Sequence, residues 1–166
     1  MLRFSVSGCA VVALALIAPD LFAQDHSFGV NLRVVGTTQV GVTWLTSPSF
    51  AVRPALSGSW QKTTNPLGSN EGWQWALDVD FLFGAASRDR VTVYYGIGGS
   101  IGGAKGGTAP ASTIWRGRAL VGARVNALDR VAFYGEVGVE YQDAGNALGQ
   151  RVALATFPVG VVVYLK

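Results

Sequence analysis

Cysteine and histidine occur once each in these 166 residues, and lysine only as Lys62, Lys105 and Lys166. Cys9 precedes an apolar run near the start, so residues 24–166 hold no thiol, which excludes disulfides and thiolate metal sites there. His26 cannot hold zinc alone or serve a histidine-based triad without partners. Charged residues make up 14% of the chain, against about 25% in ordinary soluble domains. Something other than charge must therefore cover much of the outside. Beyond residue 23 no stretch approaches the roughly 18 apolar residues of a helical membrane span. Nor is any basic cluster interleaved with aromatics, so the net charge of +3 is not a nucleic-acid footprint.

What is present begins with a leader. Arg3, the apolar run Ala10 to Pro19 and Leu21-Phe22-Ala23 ahead of Gln24 predict a cleavable signal peptide over residues 1–23. One domain, residues 24–166, follows. His26 then lies beside the new N-terminus as an exposed residue.

The stretch Thr113 to Gln142 alternates strictly. Arg116, Arg118, Leu120, Gly122 and Arg124 share one face, while Trp115, Ala119, Val121, Ala123 and Val125 share the other. Beyond the turn, Arg130, Tyr134, Glu136, Gly138, Glu140 and Gln142 oppose Val131, Phe133, Val137, Val139 and Tyr141. Side chains two apart share a face of a strand, so these are two strands, each with one apolar and one charged face. Their length suits a tilted bilayer crossing of about 9 to 11 residues. The same reading marks eight strands: Ser27 to Val35, Thr38 to Thr46, Phe50 to Gln61, Gly72 to Phe83, Arg90 to Ile101, Thr113 to Val125, Arg130 to Gln142 and Arg151 to Leu165. Short connections alternate with longer ones over Lys62 to Glu71, Gly102 to Ser112 and Asp143 to Gln150. Gly36-Thr37 is the short exception among the latter. The expectation is an all-β, eight-stranded, antiparallel up-and-down transmembrane barrel, since a closed sheet satisfies every backbone group in lipid.

Aromatic positions test the strand assignment separately, because Trp and Tyr favour membrane interfaces. Trp60, Trp73, Trp75, Trp115 and Tyr141 fall near the outer strand ends, and Phe28, Trp44, Phe50, Phe81, Phe83, Phe133 and Tyr164 near the inner ends, all on apolar faces. A soluble, lipocalin-like carrier would show the same alternation with its apolar face inside. Lysine confined to loops, a polar face mixing Arg, Asp and Glu with Gly, Ala and Ser, and the aromatic girdles favour the membrane version.

With apolar faces toward lipid, Arg33, Arg53, Asp78, Asp80, Arg116, Arg118, Arg124, Glu136, Glu140 and Arg151 point inward, where ions are costly unless paired or wet. Residues opposite one another must share a face, which leaves two registers for the sixth and seventh strands. Arg116 faces Glu140 in one, and Arg118 faces Glu136 in the other. The same parity argument can bring Tyr94 beside Asp80. The expectation is a charged network that plugs the lumen, because eight strands leave only enough width for side chains; a narrow pore is the alternative. Gly96 and Gly98 would give the guanidinium groups room. Pro54 and Pro158 cannot donate to a ladder, so each predicts a bulge or a missing bond, and the alternation blurs from Phe157 to Val163. GIGGSIGGAKGG has neither a lysine-threonine pair nor a helix pattern after it, so no phosphate or cofactor site is read there.

FAVRPALSGSW, VTVYYGIGGSIGG and VGARVNALDRVAFYGEVGVEY together resemble the small eight-stranded outer-membrane barrels grouped with the OmpA transmembrane domain and OmpX-like proteins. The resemblance implies an outer-membrane location in a Gram-negative cell, contact with membrane lipid and lipopolysaccharide, and folding by the barrel-assembly machinery. Tyr164 stands in for the terminal aromatic residue that such barrels present to that machinery. A rival of similar size is the PagL-type lipid A deacylase, but with His26 as sole histidine its catalytic set has no counterpart, and no enzyme is expected.

Overall fold

The computed structural model describes residues 28–34, 38–47, 49–65, 68–85, 90–106, 110–143, 150–155 and 158–165, with backbone alone at 63–65, 68–70, 150–151 and 154–155. The expected signal peptide, His26, Gly36-Thr37 and Lys166 lie outside the described residues. Nine strand segments follow in order: β1 (Phe28–Arg33), β2 (Gln39–Ser47), β3 (Phe50–Asn65), β4 (Gly68–Phe83), β5 (Val91–Gly106), β6 (Ser112–Leu128), β7 (Val131–Asp143), β8 (Gln150–Ala155) and β9 (Val159–Leu165). β8 and β9 both lie along β7, so they are two halves of one eighth strand. Each strand pairs antiparallel with its neighbours in sequence, and β9 pairs with β1, which closes an eight-stranded barrel. A closed ladder leaves few backbone groups to find other partners.

The apolar faces look outward. Val121 is 51% exposed and Val139 49%, whereas Asp78, Asp80 and Arg53 are buried in the lumen. This overturns the carrier arrangement, which needs Trp73, Val121 and Val139 at the centre. Outward aromatics gather in two bands. Phe50 lies between Phe81 and Phe83 at centroid distances of 6.3 and 5.3 Å, and Phe83 stacks on Tyr95 at 5.4 Å. Trp60, at the other end, donates its indole N–H to Glu71 at 2.7 Å. Trp44, Trp73, Trp75, Phe81, Trp115, Phe133 and Tyr141 are likewise exposed on the outside, and Phe83 is half-buried.

Strands run further than the loop-like composition of their ends implies. Lys62 pairs with Glu71 and Asn65 with Gly68, inside what reads as a loop. Asp143 pairs with Gln150 in the same way. A ladder needs only N–H and C=O groups, so Gly, Asn and Ser do not stop one that is already nucleated. At the opposite rim the chain leaves β4 through Gly84 at φ +83°, a left-handed conformation that favours glycine.

Both prolines mark irregularities, of different kinds. β2 pairs with β3 at Gly41↔Ala55 and again at Trp44↔Val52, and the ladder lapses between them, where Val42 meets Pro54. The β3–β4 ladder runs unbroken through Pro54↔Val79. At Pro158 the fault is an extra residue. Gly138 pairs with Ala155 and Gly135 with Val159, so three steps on β7 match four on its partner. One extra residue exchanges the two faces of everything beyond it.

Candidate functional site

Cross-strand rows carry the site. Arg53, Asp80, Gly98, Arg118 and Glu140 stand side by side on β3 to β7, each the register partner of the next. Asp78, Ser100, Arg116 and Gln142 form the row above. Below, Tyr94 on β5 faces Gly122, which faces Glu136 on β7. Bulk and absence of bulk alternate for a steric reason. A Cβ on Gly98 would collide with the Asp80 carboxylate, and one on Gly122 would come within 2.5 Å of the Tyr94 ring. Gly96 instead abuts Leu82 and Leu120, so of the two inward glycines only Gly98 makes room for the ions.

Across the lumen these rows lock together. Arg53 bridges Asp80 at 2.8 Å and Glu136 at 2.6 Å, tying β3 to both its neighbour and the opposite wall. Arg33 reaches Glu136 at 3.0 Å and donates to Gln39 at 2.7 Å. Gln39 donates in turn to Asp78 at 3.0 Å. Arg118 spans Asp78 at 3.1 Å and Asp80 at 2.6 Å. Tyr94 donates its hydroxyl to Glu136 at 2.7 Å. Arg33, Arg53 and Arg118 thus balance Asp78, Asp80 and Glu136 one for one. All but Arg118 are buried residues, and the Arg118 side chain is 11% exposed. Taking such ions out of water costs several kcal/mol apiece, recovered only when nearly every donor and acceptor is matched. The network meets that condition apart from the Arg33 Nε, which is buried with no partner among the described residues, and it plugs the barrel.

Two satellites flank the plug. Arg116 and Glu140 lie 3.8 Å apart and partly open, with Gln142 accepting from Arg116 at 3.4 Å. On the other side Arg124 donates to the Tyr164 hydroxyl at 2.7 Å and sits over its ring. Tyr134 lies under the Arg53 guanidinium at 5.1 Å, its own hydroxyl buried with no partner among the described residues.

Several expectations need correction. Neither predicted register holds: Arg118 faces Glu140 and Arg116 faces Gln142, because the turn tightens to Asp129-Arg130 and a bulge between Asn126 and Leu128 absorbs the slack. Arg118 nevertheless turns from Glu140 to the two aspartates. Tyr94 is not beside Asp80, since Gly98 takes that place and Tyr94 reaches Glu136. Tyr164, expected on the lipid face, is 6% exposed and points inward, as the extra residue before Val159 requires. That same extra residue explains why Arg151 and Tyr164 do not keep the opposite faces that unbroken alternation assigns them. The Arg151 side chain lies outside the described residues, although its backbone faces Gln142 on the lumen row. Tyr134 stands on the charged face that alternation gives it, whereas nothing in the strand pattern marks Gln39 or Asn31. Gln39 has the clearest signal, as the residue across the short first hairpin from Arg33.

The sequence matches no protein-family model and no curated protein. Among solved structures, Neisserial surface protein A matches with TM-score 0.54 and 14% identity over 83% of this chain and 93% of that one. Ail of Yersinia pestis, the attachment invasion locus protein, gives 0.49 and 10% over 82% and 92%. Acinetobacter baumannii CarO2 gives 0.40 and 10% over 83% and 97%. At 14% identity the first of these matches is a statement about architecture: the chain has the fold of a small eight-stranded barrel like that of the neisserial surface protein.

Proposed function

We propose that this is an exported outer-membrane protein of a Gram-negative cell, with residues 1–23 removed as a signal peptide and residues 24–166 forming a non-enzymatic barrel of structural or surface-contact role. The observation that carries the reading is the polarity of the wall, greasy outside and ionised inside, the reverse of a soluble barrel. The tight-turn rim then faces the periplasm and the opposite rim the exterior. Trp60, Trp73, Trp75, Trp115 and Tyr141 mark the outer interface, and Trp44, Phe81, Phe83 and Phe133 the inner one. Lipid and lipopolysaccharide surround it, with Lys62 and Lys105 at the outer rim as cations for the latter. Barrel-assembly machinery inserts it. Arg33, Arg53, Asp78, Asp80, Tyr94, Arg118 and Glu136 act as a structural plug, with Arg116, Glu140, Arg124 and Arg151 as its flanks.

The test is migration on gels of protein from isolated outer membranes. A boiled sample should run apart from an unboiled one, as folded barrels do. Identical migration, with the protein in the soluble periplasmic fraction, would refute the assignment.

A further inference from the structure

On the lipid face of β5, β6, β7 and β9 one row of side chains is shallower than its neighbours. Val93 faces Ala123, Ala123 faces Gly135, and Gly135 faces Val159. The outward row above holds Tyr95, Val121 and Val137, and the row below Val91, Val125, Phe133 and Val161. Ala123 and Gly135 are thus the floor of a groove of about 410 Å³, walled by Val93, Val121, Val137 and Val159 with Pro158 beside them. That volume is within the range of ligand sites. Every side chain that opens onto it is apolar, because Glu136 on the same stretch turns its carboxylate into the lumen, to Arg33 and Arg53. The barrel itself does not require the hollow. Gly98 and Gly122 are held to glycine by the side chains against them, whereas a Cβ on Gly135 would meet, beyond its chain neighbours, no atom of the described residues within 4 Å. Nor is its φ in the left-handed region.

Beneath the groove lies a pair of cations. Arg90 leads into β5 and Arg130 into β7, on either side of the end of β6 at Leu128. Their carbonyls accept from Asn126 at 2.9 Å and from Tyr164 at 2.7 Å, which pins both backbones at the rim of the β6–β7 turn. Both residues are exposed, and with Asp129 in that turn the described rim here carries two cations and one anion. Gly135 stands five residues above Arg130. At about 3.3 Å per residue and a tilt of about 40°, that is about 12 Å along the membrane normal, inside the hydrocarbon of one leaflet.

We infer that the groove and the arginines under it hold one anionic phospholipid of the periplasmic leaflet, an acyl chain against Ala123 and Gly135 and the phosphate between Arg90 and Arg130. The order of surfaces selects this occupant: hydrocarbon at depth, then cations at the headgroup level, is the order of parts in such a lipid. Guanidinium forks match phosphate oxygens in pairs. Arg90 and Arg130 are two strand spacings apart, about 10 Å, which two such long side chains span. A second copy of the chain fits less well. In one membrane both copies stand the same way up, so a two-fold contact through the groove sets the two arginine pairs beside each other. That the leaflet is the periplasmic one rests on the outer-membrane reading; the site itself needs only a bilayer.

The probe is dioleoyl phosphatidylglycerol added to the folded protein in neutral detergent micelles, compared with dioleoyl phosphatidylcholine and read by native mass spectrometry. One phosphatidylglycerol should be retained per barrel, at least about fivefold more tightly than phosphatidylcholine. Arg90→Gln and Arg130→Gln should each weaken it about fivefold, the loss of one cation beside an anionic headgroup. Gly135→Leu fills the floor and should weaken both lipids, whereas Gly117→Leu, at an equally open outward position nearer the other rim, should leave both unchanged. Inorganic phosphate should not displace the lipid, having no chain for the groove. Equal retention of the two lipids, equal effects of the two leucine variants, or displacement by equimolar phosphate would overturn the inference. So would a dimer mass that Gly135→Leu abolishes, which would make the groove a contact between copies. None of the four side chains enters the lumen network, and heat-modifiable migration checks that each variant folds. Cell fractionation tests the outer-membrane reading separately.

Discussion

At the scale of single residues the decisive group is Arg53, whose guanidinium is shared between carboxylates on opposite walls. Replacing it with methionine leaves three buried carboxylates to two guanidinium groups, Arg33 and Arg118, and the expected loss is about 3–5 kcal/mol. Urea unfolding in micelles, followed by tryptophan fluorescence, measures it. Tyrosines separate the satisfied from the unsatisfied. Tyr94→Phe removes a donor to Glu136 and should cost about 1.5–3 kcal/mol, the range for bonds to charged groups. Tyr134→Phe deletes a buried hydroxyl that has no partner among the described residues, so stability should hold or rise. An equal loss from both would mean that the Tyr134 hydroxyl is bonded in solution. Gly98→Ala drives a methyl group into the Asp80 carboxylate, with an expected penalty of about 1–3 kcal/mol in the same assay.

Among the elements, what could be read in advance depended on what each pattern constrains. Alternation over β6 and β7 fixes which side chains face lipid, and Val121, Val139, Arg118 and Glu136 stand on the sides that it assigns. It leaves register open by steps of two, which is why Arg118 and Tyr94 were in the right compartment with the wrong neighbours. A one-residue insertion is invisible to periodicity unless the pattern resumes cleanly, and the valine-rich run after Pro158 has no polar residue to show the change of phase. Tyr164 was misplaced for that reason. Tyr164→Phe should therefore cost about 1.5–3 kcal/mol through the lost Arg124 bond, and Tyr141→Phe, outside the barrel, less than about 0.5. Reversed magnitudes would restore an unbroken eighth strand. Gln39 could have been found by pairing Arg33 across its own hairpin; the inward face of Tyr134 is legible but its orphan hydroxyl is not, since nothing in the sequence distinguishes a bonded hydroxyl from an unbonded one.

For the molecule as a whole, polarity of the wall and closure of the lumen make separate claims on experiment. Val121→Arg places a charge where the wall meets hydrocarbon and should destabilise the protein in lipid vesicles by about 2–4 kcal/mol, less nearer a rim. In planar bilayers the unaltered protein should give no stable ohmic steps, because three cations and three anions occupy its waist. A steady single-channel current would show that the waist is open to ions and that the pore alternative holds.

Arg53 and Glu136 belong to walls that face each other, and Arg33 lies on the strand that forms the closing seam. Until that seam shuts, Glu136 lacks both of its guanidinium partners and Arg33 its carboxylate, so a half-rolled sheet carries the liability of these charges without their reward. Entry into the bilayer should accordingly be all-or-none, with the last strand pair to form also the step that makes the interior electrically quiet.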